Sequence, residues 1–370
     1  MIRVLQVTDK ICQRWGVANV IMNYYRFIDT TKVQFDFLVN EVDDDLRNEI
    51  EYRGGRIYYF PVFSLSGVVH VSRTFDEFFK LHAADYVAVH SHFFQLNYWI
   101  FKSAKKYGIN NRISHSHATR FSANGAIKNF RNGMMNSLGL LYTNYYFSCG
   151  RDAGLNMFGN KRYYSSHSFV VRNAIDAPKY SFNKEVRKIY RDKLKLNDNN
   201  YLLGISASLS DRKNQSFIIR LLPDLLQYDK NIRLLLLGDG DEKQHLVSLC
   251  SYFDVKDYVF FQGTVSNVED YLQAIDCFLL PSKLEGLPLS VIEAEAAGLH
   301  CVLSNVVTEE VNIDNMCEYC SLSNAKKWIE AILRNKGGKR VNTFEVICKS
   351  HYYIKRETEV LTGIYESMAK

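Results

Sequence analysis

Short apolar runs of strand length alternate with amphipathic helical patterns along the chain, and the whole alternation occurs twice. The first series of predicted strands comprises Arg3–Val7, Gln34–Val39, Arg56–Phe60, Tyr86–His90, Arg112–Ser116, Tyr145–Ser148 and Ser168–Val171. The second series comprises Tyr201–Ala207, Arg233–Leu237, Tyr258–Phe261, Cys277–Leu280 and His300–Leu303. Because strands that alternate with helices pair in parallel, the pattern predicts an α/β protein with two doubly wound parallel sheets.

The two series are separated by a turn-rich stretch at residues 172–178 and a strongly polar stretch at residues 184–200. A chain of 370 residues is also longer than one hydrophobic core usually serves. We therefore expect one domain at residues 1–175 and a second at residues 176–349, followed by a helical segment at residues 350–370.

Composition excludes several classes of protein. The net charge of +6 is too weak, and too dispersed, to indicate a nucleic-acid partner. No apolar segment reaches the roughly 20 residues that span a bilayer, and the N-terminus lacks the pattern of a secretory signal. The eight cysteines are scattered, with a single CxxC at Cys317 and Cys320, so reduced thiols are expected. These features predict a cytoplasmic protein.

Two carboxylates flank a turn between a buried strand and a helix. Glu285 follows the apolar run that ends at Leu280, and Glu293 lies in the first turns of the next predicted helix, Ser290 to Ala297. Carboxylates accept hydrogen bonds from hydroxyls, and a helix N-terminus favours phosphate. A nucleotide sugar carries both groups, so this turn is the first candidate for a donor site.

Other strand-to-helix turns offer weaker signals. Gly16 could let the backbone approach a phosphate, but an ordinary turn explains it equally well. Lys213 lies before a helix, where a cation is slightly unfavourable, so a phosphate contact is favoured over a solvated charge. Gly238-Asp239-Gly240 resembles the start of a dinucleotide fingerprint, but Lys243 stands where its third glycine belongs.

Two histidines, His115 and His117, alternate at the end of a predicted strand and share one face of it. Such a pair could bind a metal, but no third ligand is spaced to complete the site. A histidine that hydrogen-bonds a sugar or phosphate is the favoured interpretation, and no metal site is predicted.

Five apolar residues recur at helical spacing: Ile127, Phe130, Met134, Leu138 and Leu141. The pattern predicts a helix whose apolar face packs against the core. The alternative is a surface helix that contacts a membrane or a lipid-linked acceptor.

Taken together, these motifs resemble a known family. The run from Phe278 to Gly298 is similar to the E-x7-E motif of family-four retaining glycosyltransferases of the GT-B fold, of the bacterial capsular and exopolysaccharide type. Residues 171–176, Lys213-Asn214, residues 261–265 and residues 115–117 also match. The resemblance implies two Rossmann-like domains that face a central cleft, with a last helix that crosses back to the first domain.

The resemblance also implies roles for particular residues. A UDP-sugar would be the donor, a glycan or lipid-linked sugar the acceptor, and no cofactor would be needed. His117, or less favourably His115, would lie near the sugar and acceptor, while Lys213 would neutralise the leaving diphosphate. The remaining donor contacts would come from the following residues: Gly16, Thr264, Val265, Glu285, Gly286, Leu287, Pro288 and Glu293. A lipid-linked acceptor would place the enzyme at the inner face of the membrane.

Three positions depart from the family pattern. Trp15 replaces the first of two glycines, Ala18 replaces a glutamate, and Ser208, at the donor diphosphate, replaces an arginine that usually accompanies the lysine. A lost cation contact of this kind weakens stabilisation of the leaving group. Two functions therefore stay open at this point: an active hexosyltransferase, or a glycosyltransferase-like subunit that binds a sugar nucleotide or a partner and transfers poorly.

Overall fold

The computed structural model describes residues 1–370 except Arg14, residues 61–67 and residues 118–125, and it leaves out the side chains of residues 68–70 and 126–129. The strands in this description are β1 (Ile2–Val7), β2 (Lys10–Ile11), β3 (Val33–Val39), β4 (Glu41–Val42), β5 (Ile57–Tyr59), β6 (Ala88–Ser91), β7 (Asn111–Ser116), β8 (Tyr145–Ser148), β9 (Ser168–Val170), β10 (Tyr201–Ser206), β11 (Ile232–Leu237), β12 (Val259–Gly263), β13 (Cys277–Leu280), β14 (His300–Ser304) and β15 (Cys317–Cys320).

The α-helices between them are α1 (Gly16–Phe27), α2 (Asp44–Tyr52), α3 (Val68–His82), α4 (Asn97–Lys106), α5 (Ala126–Leu140), α6 (Arg151–Tyr163), α7 (Ala177–Tyr180), α8 (Lys184–Lys193), α9 (Gln215–Tyr228), α10 (Lys243–Tyr252), α11 (Val268–Ala274), α12 (Leu289–Ala296), α13 (Ala325–Arg334), α14 (Phe344–Lys349) and α15 (Ile354–Met368). The chain divides into two compact units. Unit 1 comprises Met1–Ala174 together with Ile354–Lys370, and unit 2 comprises Ile175–Tyr353.

Unit 1 is built on a parallel sheet in the order β5-β3-β1-β6-β7-β8-β9. Its central strands are buried on both faces, as helices on either side of a parallel sheet require. The last helix, α15, belongs to this unit, where the buried hydroxyl of Tyr365 contacts His90 at 2.6 Å. The C-terminal segment that joins unit 1 begins at Ile354.

Unit 2 has a second parallel sheet in the order β12-β11-β10-β13-β14-β15. Its core includes fully buried leucines of β10 and β11, the Trp328 ring of α13 and several aliphatic side chains of α9. The order reverses between β10 and β13, and such a switch point is where open α/β sheets bind ligands at the carboxyl ends of their strands. The strand that the sequence analysis missed here is β15, at the sheet edge.

The two cysteines of the CxxC belong to β15. Cys317 and Cys320 are three residues apart on an extended strand, so their side chains lie on opposite faces of it. The Cys317 thiol lies 3.4 Å from a carboxylate oxygen of Glu295, and the Cys320 thiol lies 3.8 Å from the carbonyl of Lys327. All eight cysteines are free thiols.

The prediction that the apolar face of the 127–141 helix packs against the core is wrong. Four of the five apolar side chains are exposed, and the side chain of Ile127 lies outside the described residues. The buried face of α5 instead carries Asn132, Asn136 and two apolar side chains, and the Asn136 amide donates to the carbonyl of Met157 at 2.8 Å. We call the exposed residues Phe130, Met134, Leu138 and Leu141 the apolar stripe. Among the residues described, no helix has the length and apolar character that crossing a bilayer requires.

Candidate functional site

The predicted donor residues of unit 2 lie in loops at one edge of its sheet. Ser208 and Lys213 follow β10, residues 264–265 follow β12, and residues 285–288 follow β13. Because all these strands are parallel, their carboxyl ends share that edge. The β10 and β13 loops follow directly neighbouring strands.

Lys213 and Glu285 form a buried ion pair at this edge. The Lys213 ammonium donates to Glu285 Oε1 at 2.6 Å, and both side chains are largely shielded from solvent. Ser282, which is fully buried, donates its hydroxyl to the same carboxylate oxygen at 2.6 Å. The pair places a cation and an oxygen acceptor side by side in a site that excludes most water, where electrostatic interactions are strong.

Hydrogen bonds to backbone carbonyls connect the loop after β10 with the loop after β13. The Lys283 amide donates to the Arg212 carbonyl at 2.8 Å, and the Asn214 side chain donates to the Pro281 carbonyl at 3.0 Å. Asn214 has a φ of 56°, a left-handed conformation that asparagine tolerates better than most residues. At the end of β14, Ser304 donates to the Ser282 carbonyl at 2.6 Å. These contacts fix the turn that carries the ion pair.

Glu293 lies in the second turn of α12, which begins at Leu289 directly after Pro288. The hydroxyl of Tyr180 donates to Glu293 Oε1 at 3.0 Å. Burial raises the pKa of Glu293 to about 7, although the Tyr180 hydrogen bond opposes part of that rise. Nothing in the sequence pointed to Tyr180, because it lies 113 residues before its partner.

The remaining predicted donor residues of unit 2 differ in their exposure to solvent. Leu287 is buried, Thr264 is exposed and Val265 is half-buried. Ser208 is exposed, and its hydroxyl lies 3.5 Å from that of Ser210. The serine hydroxyl carries no positive charge, and the role of Ser208 at a diphosphate stays a prediction.

The glycines of the Gly238-Asp239-Gly240 turn have a structural explanation. A Cβ at Gly238 would lie 2.1 Å from the Ala207 carbonyl oxygen, and one at Gly240 would lie 2.3 Å from that of Leu209. The glycines thus let the β11 loop pack against the β10 loop, and a dinucleotide fingerprint is not needed to explain them.

Gly16 is the first residue of α1 in unit 1. Among the residues that the structure describes, no atom lies within 4 Å of a Cβ built at Gly16, and no side chain caps the helix. The first backbone N–H groups of an α-helix lack intrahelical partners. Trp15 immediately before Gly16 is 42% exposed, whereas Ala18 is fully buried.

Four histidines meet at the carboxyl ends of β6 and β7 in unit 1. His90 Nε2 lies 3.0 Å from His115 Nδ1, and His92 Nδ1 lies 2.7 Å from His117 Nε2. Burial lowers the pKa of all four, to about 3 for His117, so the rings are neutral near pH 7. His90 and His92 were missed because they lie on the neighbouring strand, 25 residues from their partners.

The cluster supplies the third histidine that a metal site would need and that the spacing of His115 and His117 did not provide. One nitrogen from each of His90, His92 and His115 lies within 4.8 Å of the others, which is close enough for a metal ion. The expectation that no metal is bound rested on the lack of a third histidine, so it stays a prediction.

Comparison with known proteins gives consistent results. Residues 186–336 match the profile of the family described as "Glycosyl transferases group 1". Over 98% of its length the chain is 28% identical to EpsF of Bacillus subtilis, provisionally described as a glycosyltransferase, of which 96% is covered. It is 24% identical to the capsular polysaccharide biosynthesis glycosyltransferase CapH of Staphylococcus aureus, over 78% of this chain and 79% of CapH.

A solved structure extends the comparison to the fold. The crystal structure of Anabaena HepE in complex with UDP and glucose aligns with a TM-score of 0.80 and 14% identity, covering 99% of this chain and all of HepE. The chain is therefore a glycosyltransferase of the GT-B fold. Within that class, its sequence is similar to the group 1 family over residues 186–336 and to a capsular polysaccharide glycosyltransferase over most of its length.

Proposed function

We propose that this protein transfers a hexose from a UDP-sugar to a glycan or lipid-linked acceptor, with retention of anomeric configuration, in surface polysaccharide biosynthesis. The main support for this proposal is the buried ion pair of Lys213 and Glu285, to which Ser282 also donates a hydrogen bond. The pair lies at the edge where such sheets bind ligands. The UDP and glucose in HepE and the capsular role in the name of CapH support this choice of donor and process.

Lys213 has the charge that the reaction needs. The bond between the anomeric carbon and the phosphate oxygen breaks, and the acceptor hydroxyl oxygen bonds to that carbon while its proton passes to the departing phosphate. Negative charge then accumulates on the diphosphate, and a fixed cation in a shielded site stabilises it. With this cation in place, we propose that no metal is required.

The carboxylates bind hydroxyls in this proposal. Glu285, with the backbone of residues 286–288, holds the sugar, and Glu293 accepts hydrogen bonds from the ribose hydroxyls. Thr264 and Val265 border the base. The residues of unit 1 with proposed donor roles are Gly16, for a phosphate contact through its backbone, and His117, for a sugar hydroxyl. Tyr180 would keep Glu293 oriented before the nucleotide arrives.

Turnover of UDP-sugars tests the proposal. We expect the purified protein to release UDP from one UDP-hexose faster than any nucleotide from GDP-, ADP- or TDP-sugars, with the rate unchanged by a chelator. Binding without turnover, even when lipid-linked acceptors are supplied, would support the poorly transferring subunit instead. An inverted product or a rate abolished by the chelator would contradict the proposed mechanism.

Donor affinity should depend on pH through Glu293. With a pKa of about 7 in the free protein, its carboxyl is mostly protonated at pH 6 and ionised at pH 8. The ionised form accepts two hydroxyl hydrogen bonds, so affinity should rise with pH and level off above about 8, by up to about tenfold per unit below the pKa. Calorimetric titration with a UDP-sugar measures this effect, because its diphosphate does not titrate near neutrality.

Variants separate Glu293 from other titrating groups. Glu293→Gln should flatten the pH profile of the affinity. Burial also raises the pKa of Glu295 to about 7, but this carboxylate accepts from the Ile313 amide. Glu295→Gln should therefore keep the profile. A profile that is equally steep in both variants would contradict the assignment to Glu293.

We further propose that the apolar stripe of α5 contacts the inner face of the membrane. Its members Phe130 on α5 and Leu141, the residue directly after α5, are 77% and 68% exposed. The neighbouring α4 carries Lys102 and Lys105, which suit an anionic lipid surface. A membrane contact would also bring the enzyme to a lipid-linked acceptor.

Vesicle binding tests the stripe. We expect a Phe130→Ser/Leu141→Ser variant to bind vesicles containing anionic phospholipid at least about tenfold more weakly, because each side chain buries apolar area worth about 1.5–3 kcal/mol. The control is Ile189→Ser, an exposed apolar residue on α8 of unit 2. Equal binding by the double variant and the wild type would rule out the stripe.

A further inference from the structure

The side-chain amide of Gln6, on β1, contacts the histidine cluster of unit 1 through two different residues. The Oε1 atom of Gln6 lies 2.9 Å from His92 Nε2, and its Nε2 atom lies 3.5 Å from the Tyr365 hydroxyl oxygen. Two hydrogen-bonded chains therefore leave the same side chain. One passes through Tyr365 to His90 and His115, and the other passes through His92 to His117.

Each chain has only two self-consistent arrangements of protons. A neutral imidazole donates from one nitrogen and accepts at the other, so fixing one ring fixes every ring linked to it. Because Gln6 connects both chains, its amide orientation sets both at once. In one orientation all four histidines are protonated at Nε2, and in the other all four are protonated at Nδ1.

The orientation of the Gln6 amide selects between these arrangements. Its oxygen faces His92 Nε2 at 2.9 Å and accepts from that nitrogen, and its nitrogen faces the Tyr365 hydroxyl oxygen at 3.5 Å and donates to it. The Tyr365 hydroxyl then donates to His90 Nδ1 at 2.6 Å, and His90 Nε2–H donates to His115 Nδ1.

The same amide orientation sets the second chain. Because Gln6 Oε1 accepts from His92 Nε2–H, the Nδ1 atom of the neutral His92 ring has no proton. His92 Nδ1 then accepts from His117 Nε2–H. The lone pair of His117 Nδ1 ends the chain. This atom is shielded from solvent and has no hydrogen-bond partner among the described residues.

We propose that Gln6 is a positioning residue that holds His117 neutral and protonated at Nε2, so that its Nδ1 atom accepts a hydrogen bond from a sugar hydroxyl. The inference rests on the proposed function, which places His117 at the sugar. It adds a specificity, because an Nδ1 acceptor favours a ligand group that donates and disfavours one that only accepts. An orphaned buried acceptor costs free energy until such a donor arrives.

Ring nitrogen NMR tests the inference without any sugar. In protein labelled with ¹⁵N-histidine, two-bond proton–nitrogen correlations distinguish the two tautomers, and the signals missing from His117→Gln identify His117. We expect the Nε2–H pattern for His117 in the wild type. Gln6→Met removes both polar atoms of the amide and should give a mixture of tautomers, whereas Tyr365→Phe should perturb His90 and leave His117 unchanged.

Activity then separates this inference from the proposed function. Gln6→Met should lower kcat/KM about twofold through the loss of the competent tautomer alone. An Nδ1–H pattern for His117 in the wild type, or an unchanged pattern in a folded Gln6→Met, would overturn the inference whatever the enzyme does. The expected tautomers combined with full activity of His117→Gln would overturn the role of His117 at the sugar, and with it the purpose assigned to Gln6.

Discussion

Replacing Lys213 with Met should lower kcat by about 10²–10³, which is the usual loss when one group that stabilises developing negative charge is removed. The KM for the donor should change much less, because the charge on the leaving diphosphate develops in the transition state. Steady-state measurement of UDP release gives both constants. The variant keeps the aliphatic stem of Lys213, and Ser282 still donates to Glu285.

A neighbouring lysine is the matched control. Lys283 lies in the loop after β13 and pairs with Asp211, but its side chain is 47% exposed. Lys283→Met removes the same charge from the same sheet edge and should leave kcat within about twofold, because exposed pairs contribute little. If both variants lost activity equally, general electrostatics would explain the effect. If Lys213→Met kept full activity, the role assigned to Lys213 would be wrong.

Replacing Gly298 with Ala should destabilise unit 2 by about 2–4 kcal/mol. Gly298 ends α12 with a φ of 71°, and a Cβ there would lie 2.2 Å from the carbonyl oxygen of Val341. The left-handed conformation and the forced backbone shift both cost free energy. The Val341 amide also donates to the Gly298 carbonyl at 3.3 Å, so a shift would strain that bond too. Chemical denaturation of the wild type and variant measures the difference.

A second glycine separates the two causes. Gly337 has a φ of 76°, but a Cβ there would meet no atom of the described residues within 4 Å. Gly337→Ala should therefore cost only the conformational part, about 1 kcal/mol. Equal losses at Gly298 and Gly337 would show that the contact with Val341 has no energetic weight.

Much of the fold could be predicted because the central strands of parallel sheets are apolar on both faces. Tyr145–Ser148 and Cys277–Leu280 were predicted with the observed bounds. The edge strand β15 was missed because most of its side chains are only half-buried, which weakens the apolar signal. The α5 helix was misjudged for another reason, since apolar periodicity shows that a stripe exists and not what covers it.

Candidate donor residues could be singled out from the sequence where they are close together along the chain. The spacing between Glu285 and Glu293 follows from one turn and the start of one helix, so a local motif contains it. The partners that tune these groups come from elsewhere in the fold, as Tyr180 does for Glu293 and Ser304 does for the Ser282 carbonyl. The histidine cluster required strand pairing to bring His90 and His92 beside the two histidines that the sequence singled out.

Calorimetric titration of UDP into the wild type, Glu293→Ala and Glu318→Ala tests the central claim most directly. Glu318 is the control, because this carboxylate lies on the edge strand β15 and pairs with Arg334. The account predicts that UDP binds the wild type and Glu318→Ala with similar affinity, and that Glu293→Ala binds at least about tenfold more weakly, through loss of charge-assisted hydrogen bonds to the ribose. Undiminished binding by Glu293→Ala, or no UDP binding by the wild type, would contradict a nucleotide-sugar site at this edge of the sheet.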